Sequence, residues 1–198
     1  MCSLGNRRPV EMIRLKSLLQ EDIENISPSN SEEESGGDYQ LLYDGWLKRS
    51  TTAAKYLVAN GYNKIIAAAF IGNFAVESGV RPNVSQNLTK GLKLGFGFKP
   101  TTPAEALKQP SKSGYGLAQW TEDRKTKLVA AGASTTTQQL DFLIAELKGS
   151  QSSAWEKIKS KKTLSDATAA VVKYYERAGV PALAERVSKA TDIYNEIK

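Results

Sequence analysis

The sequence predicts a mainly α-helical domain with one loop-rich excursion, preceded by a helical arm and a linker. Three observations carry this reading. Apolar residues recur at three- and four-residue spacing through most of residues 39–198. Glycine and proline concentrate in residues 80–113, at Pro82, Gly91, Gly95, Gly97, Pro100, Pro103 and Pro110. Residues 27–38, Ser27 to Asp38, are almost wholly Ser, Pro, Asn, Glu and Gly, the composition of a flexible linker. The 198 residues suffice for one cored domain and an appendage.

Residues 1–11 show no period. From Met12 the apolar positions Met12, Leu15, Leu18, Leu19 and Ile23 make an amphipathic helix over about 12–26. Met12 reads as the natural start, with residues 1–11 added from an upstream in-frame start. The acid-rich second half of this helix argues against anchoring on an anionic membrane and leaves docking on a partner or on the body. The boundary between the N-terminal extension, 1–38, and the body, 39–198, falls near residue 39.

The body opens with a helix carrying Trp46, Leu47, Ala53, Ala54, Tyr56, Leu57 and Val58, closed by Asn60-Gly61. The run Ile65 to Ile71 reads as a buried helix, with Asn63 as its N-cap and Gly79 and Pro82 as its stop. Leu92-Lys93-Leu94 and Phe96-Gly97-Phe98 suggest a short β-hairpin or ordered loop in the excursion. Thr102-Pro103-Ala104-Glu105 begins a short helix, capped by Thr102. Helices follow from Glu122 to about Ala131, over Gln138 to Leu147, around Trp155 and Ile158, from Thr163 to Arg177, and after Pro181 to Ile197.

Composition narrows the chemistry. His is absent, so His-based triads and His-ligated metals are excluded. Cys2 is the single cysteine, which rules out an internal disulfide and a cysteine-rich zinc site. Neither a metal nor another cofactor is expected. No apolar run reaches membrane-span length, and the start lacks the pattern of a signal peptide. Residues 1–38 hold four Arg/Lys against eight Asp/Glu, a balance of −4, and residues 39–198 hold 23 against 13, a balance of +10. A basic body suits a polyanionic surface, either nucleic acid or an acidic cell wall. No basic helix face with interleaved aromatics stands out, so nucleic acid is not the expected partner.

A carboxylate-driven reaction remains, and Glu77 is its candidate. Ile66, Phe70, Asn73 and Glu77 fall on one helix face, which places Glu77 in the last turn of an apolar helix. No cation occupies the neighbouring helical positions. Partial removal from water and the negative end of the helix dipole both favour a carboxyl that keeps its proton, the state a general acid needs. In Gly114-Tyr115-Gly116-Leu117-Ala118-Gln119-Trp120, the glycines let the backbone come close to a ligand. Gln119 and Trp120 there offer an amide and an aromatic plate of the kind sugar rings need.

Three blocks then form one pattern. They are Gly72-Asn73-x-x-x-Glu77-Ser78-Gly79-x-x-Pro82, then Gly114 to Thr121 with Arg124, then Gln139 to Leu143 and Tyr175-Glu176-Arg177-Ala178-Gly179 with Arg186. In this order and at these separations the chain resembles the phage tail lysozyme family, within the wider lysozyme-like superfamily, and it is also similar to soluble lytic transglycosylases. The resemblance implies a lysozyme-like α-helical domain in which Glu77 protonates the glycosidic oxygen between N-acetylmuramic acid and N-acetylglucosamine of bacterial peptidoglycan. It implies that Asn73, Ser78, Tyr115, Gln119, Trp120 and Tyr175 contact or line the sugar site, with Glu176 and Arg177 bracing it. It also implies a virion location, with the N-terminal arm tethering the domain to a tail or baseplate protein.

A second carboxylate is less plain. Glu105, Asp123 and Glu176 are the candidates for a base. Without one, a water held by polar side chains could attack from the other face, the substrate's own acetamido group could assist, or Glu77 could act first as acid and then as base, as a lytic transglycosylase does; the resemblance favours hydrolysis. A non-catalytic wall-binding tail protein on the same frame is the further alternative.

Overall fold

A computed structural model describes residues 39–86, 98–178 and 182–197 of the chain. The arm and linker expected over residues 1–38, and all but Phe98 of the hairpin or ordered loop expected over Leu92 to Phe98, lie outside the described residues. The described residues form eight helices and one pair of short strands. In chain order these are α1 (Tyr39–Ala59), α2 (Lys64–Ser78), β1 (Val84–Gln86), β2 (Phe98–Pro100), α3 (Pro103–Lys108), α4 (Glu122–Ala130), α5 (Thr136–Lys148), α6 (Ser152–Ile158), α7 (Leu164–Ala170) and α8 (Leu183–Glu196). The chain is mainly α, as its periodicity indicates.

Helix α2 is the axis of the domain. Every residue from Ile66 to Ala75 is buried, and α2 packs on α8, α1 and α7. Its ends are where local chemistry puts them. The Asn63 side chain accepts a hydrogen bond from the Ile66 N–H at 2.9 Å. Gly79 takes the left-handed conformation, φ 64°, and its N–H closes on the Ala75 carbonyl at 3.0 Å. Against α8 there is no room for a side chain at Gly72: an added Cβ would lie 2.6 Å from the Ala190 Cβ and 2.7 Å from the Ala190 backbone nitrogen. The two backbones therefore touch at this crossing.

The strands pair antiparallel, with Val84 opposite Pro100 and Gln86 opposite Phe98. They sit further apart in the chain than a hairpin confined to residues 92–98 would place them. Caps fix the later helices. Thr102 and Glu105 form a reciprocal capping box on α3, and Thr135 and Gln138 form one on α5. Helix α5 thus begins two residues before the start read from periodicity. The helix expected from Thr163 to Arg177 divides into α7 and a wider π-helical turn, Val171–Glu176, ended by Arg177 at φ 55°.

Candidate functional site

Glu77 lies in the last turn of α2 with 22% of its side chain exposed. It is not alone there. Arg186 from α8, only 3% exposed, places Nη2 2.5 Å from Glu77 Oε1. The neighbouring positions of α2 carry no cation, as its sequence indicates, and the cation arrives instead from another helix, 109 residues along the chain. Asn73 does not face a ligand either. It is fully buried, and its side-chain and main-chain oxygens accept from Arg186 Nη1 at 3.2 and 3.3 Å. Its amide donates to the Ala69 carbonyl at 2.7 Å. Asn73 thus aims Arg186, and Arg186 holds Glu77. The backbone contact at Gly72 and Ala190, one turn away on each helix, brings the two faces close enough for this to happen.

The second carboxyl beside Glu77 is Glu176, at the end of the π-helical turn. Burial pushes its pKa well above the usual carboxylate range, and repulsion by the Glu77 carboxylate adds to this. Arg124 and Arg186 pull the other way. Glu176 Oε1 is buried and has no hydrogen-bond partner among the described residues. Of the three acids weighed as partners of Glu77, Glu176 is the one whose charge the Glu77 carboxylate is seen to repel. Glu176 also borders an open polar cleft of about 960 Å³ between α3, α4 and the π-helical turn, together with Gln109, Asp123, Arg124 and Arg177.

Trp120 and Tyr175 belong to the interior. They are 1% and 0% exposed, so no sugar ring can stack on either in this conformation. Both converge on Glu146 of α5: the indole Nε1 and the phenol hydroxyl donate to its Oε2 at 3.0 and 2.6 Å. Arg124 grips the same carboxylate at 2.7 and 2.8 Å and lies over the Tyr175 ring, 4.5 Å from its centroid. The Tyr175 pKa is held well above its ordinary value by burial. This buried cluster pins the turn that carries Glu176 to α4 and α5. It is the role that sequence reading missed, because Glu146 was not singled out. One signal was present: Glu146 shares a helix face with Leu143 and Leu147.

The glycine turn likewise braces the site rather than opening onto it. Ser78 Oγ donates to the Leu117 carbonyl at 2.8 Å, tying the end of α2 to the turn. Gln139 of α5 is fully buried. Its Oε1 accepts from the Leu117 N–H at 2.9 Å, and its Nε2 donates to the Pro82 and Ala133 carbonyls at 3.0 and 3.1 Å. Gly116 admits that amide, since an added Cβ would lie 2.6 Å from Gln139 Oε1. Tyr115 is buried, with its hydroxyl on Asn83 at 3.0 Å, and burial pushes its pKa up to about 12. Gln119 Nε2 donates to the Gly116 and Val84 carbonyls at 2.8 and 3.2 Å, which joins the turn to β1.

Three further candidates lie exposed at the surface. Glu105 is an exposed cap on α3, and hydrogen bonds from Thr102 hold its pKa below the usual carboxylate range. Asp123 is exposed in the first turn of α4, at the cleft wall. Arg177 turns outward and donates to Gln151 at 2.9 Å, so it does not brace Glu77. Among the described residues no cluster of Cys, Asp and Glu is placed to hold a metal ion, and no helix is long and apolar enough to cross a membrane.

The sequence matches the family described as phage tail lysozyme over residues 48–197. No curated protein matches it.

Proposed function

The chain belongs to the phage tail lysozyme family, and from that premise we propose that Glu77 is the carboxyl that cleaves the bond between N-acetylmuramic acid and N-acetylglucosamine. The family acts on peptidoglycan in the context of a phage tail. One observation supports the finer reading. Glu77 is the partly exposed carboxyl at the end of the buried axis helix, oriented by Arg186 and faced by a second carboxyl, Glu176. Two carboxyls in mutual repulsion share protons unequally, which is how one site runs acid and base steps together.

In this mechanism a glycan strand lies across the end of α2. Glu77 donates a proton to the glycosidic oxygen as the bond breaks, and Arg186 stabilises the carboxylate left behind. Water then attacks the anomeric carbon and its proton passes, directly or through solvent, to the Glu77 carboxylate, which restores the acid while Glu176 keeps its own proton. The ion pair at Glu77 favours a second reading, in which Glu176 is the acid and Glu77 the anion that stabilises the oxocarbenium-like transition state. Closure of an anhydro ring without water, the transglycosylase outcome, uses the same residues. The N-terminal extension, 1–38, would join the domain to a tail or baseplate protein on the virion, with the domain boundary near residue 39.

Glu77→Gln should lower release of muropeptides from purified sacculi by about 10²-fold or more while leaving the thermal transition in place. Undiminished release would end the assignment. An aryl glycoside substrate with a good leaving group separates the two role assignments, because the acid variant alone keeps its rate on it. Mass spectrometry of the products then distinguishes reducing ends, from hydrolysis, from anhydro ends.

A further inference from the structure

Two arginines at the end of α2 stand outside this mechanism. Arg49 of α1 donates from Nη2 to the Gly79 carbonyl at 3.4 Å, and Arg81 donates from Nε to the Ser78 carbonyl at 3.2 Å. Both guanidinium groups thus converge on the left-handed cap of the helix that carries Glu77. The Arg81 guanidinium lies against Gly79, where an added Cβ would be 3.4 Å from Nε. Neither arginine forms an ion pair among the described residues, and Glu77 is engaged by Arg186. Both are half-buried, and Arg49 Nε is shielded from solvent with no hydrogen-bond partner among the described residues.

Each guanidinium has five N–H donors, and the carbonyls at the helix end take one from each. The negative end of the helix dipole offsets part of the charge. It does not remove the repulsion between the two cations, which, after burial itself, favours loss of charge at Arg49. Two adjacent, partly desolvated cations without a carboxylate are costly unless an anion joins them. The turn presenting Arg81 is itself strained: Val80, buried and β-branched, is held at φ 56°.

We propose that Arg49 and Arg81 form an oxyanion-binding site beside Glu77 that takes a carboxylate or phosphodiester oxygen of the cell-wall polymer. The nature of the ligand rests on the wall-cleaving reading above, whereas the site rests on charge and geometry alone. The site fixes the strand on one side of the cleaved bond, with its planar forks set for bidentate contact.

The first test needs no activity. The full chain is heated in sodium phosphate and in sodium chloride at matched ionic strength. Phosphate at ten times its Kd should raise the wild-type Tm by roughly 3 °C or more above the chloride value. Arg49→Gln and Arg81→Gln should lose that increment, and Arg81→Lys should keep part of it. No increment in the wild type, or an equal one in all variants, overturns the site. The second test is kinetic. Arg81→Gln should raise KM on sacculi about ten-fold with kcat retained. On glycan strands freed of stem peptides, stripped of phosphodiester polymers with hydrofluoric acid and methyl-esterified at the lactyl carboxyl, the variant should match the wild type. Equal losses on both substrates overturn the proposal. Hydrofluoric acid treatment of the sacculi removes phosphodiester polymers. If the KM gap survives, the ligand is a carboxylate, and if it closes, a phosphodiester. A phosphate increment that survives Glu77→Gln keeps this site separate from the fate of the catalytic assignment.

Discussion

Substitution of Gly72 by Ala tests the link between helix packing and the site. The new Cβ would meet three atoms of Ala190, its Cβ at 2.6 Å, its nitrogen at 2.7 Å and its Cα at 2.8 Å. Two of these are backbone atoms, so a side-chain rotation cannot relieve the contact and the helices must separate. Three contacts under 3.0 Å, two of them to backbone, put the overpacking cost in the upper part of its usual range, about 2–3 kcal/mol, against a gain of about 1 kcal/mol for replacing a helical glycine by alanine. A net loss of about 1–2 kcal/mol corresponds to a Tm lower by about 2–8 °C in a chain of this size. Activity should fall further than stability, because Arg186 lies one turn from Ala190 and its 2.5 Å contact with Glu77 lengthens as the helices part. Calorimetry gives the first quantity. Sacculus lysis well below Tm gives the second. Ala190→Gly in the same chain should restore only part of both, since the backbone atoms remain in the way. A Gly72→Ala variant as stable as the wild type, with full lysis, would refute the close crossing and the reasoning built on it.

The other predictions concern single groups. Glu176 binds its proton more tightly folded than unfolded, so its contribution is full below the unfolded value near ~4.3 and declines as pH rises toward the folded value. Chemical denaturation across that window should show a fall in stability that Glu176→Gln flattens, and an unchanged slope would count against a buried, proton-holding carboxyl. Trp120→Phe removes the donor at 3.0 Å from Glu146 and should cost about 1–3 kcal/mol in denaturant titrations. Its effect should be on stability, and a rise in KM at unchanged stability would instead return Trp120 to the sugar site. Gln139→Leu breaks hydrogen bonds to Leu117, Pro82 and Ala133 and should lower the urea midpoint while accelerating proteolysis near Gly116. Glu105→Gln should leave lysis within two-fold of wild type by roughly the tolerance of an exposed surface change, since that carboxylate serves only the α3 cap.

Nearest-neighbour chemistry wrote the helix ends into the sequence. Asn63, Gly79, and the Thr102 and Glu105 pair act within three or four residues of themselves, and the structure places each where its chemistry requires. Periodicity set Glu77 on the last turn of an apolar helix, and the spacing of the blocks pointed to the family. Tertiary structure decided what surrounds that carboxyl. Arg186 reaches it across 109 residues, Glu176 approaches from the π-helical turn, and Trp120 and Tyr175 leave solvent to meet Glu146. Their residue types fit a sugar platform as well as a core. The choice between those roles depends on where α5 brings Glu146, 26 and 29 residues away in the chain, and no local pattern records that.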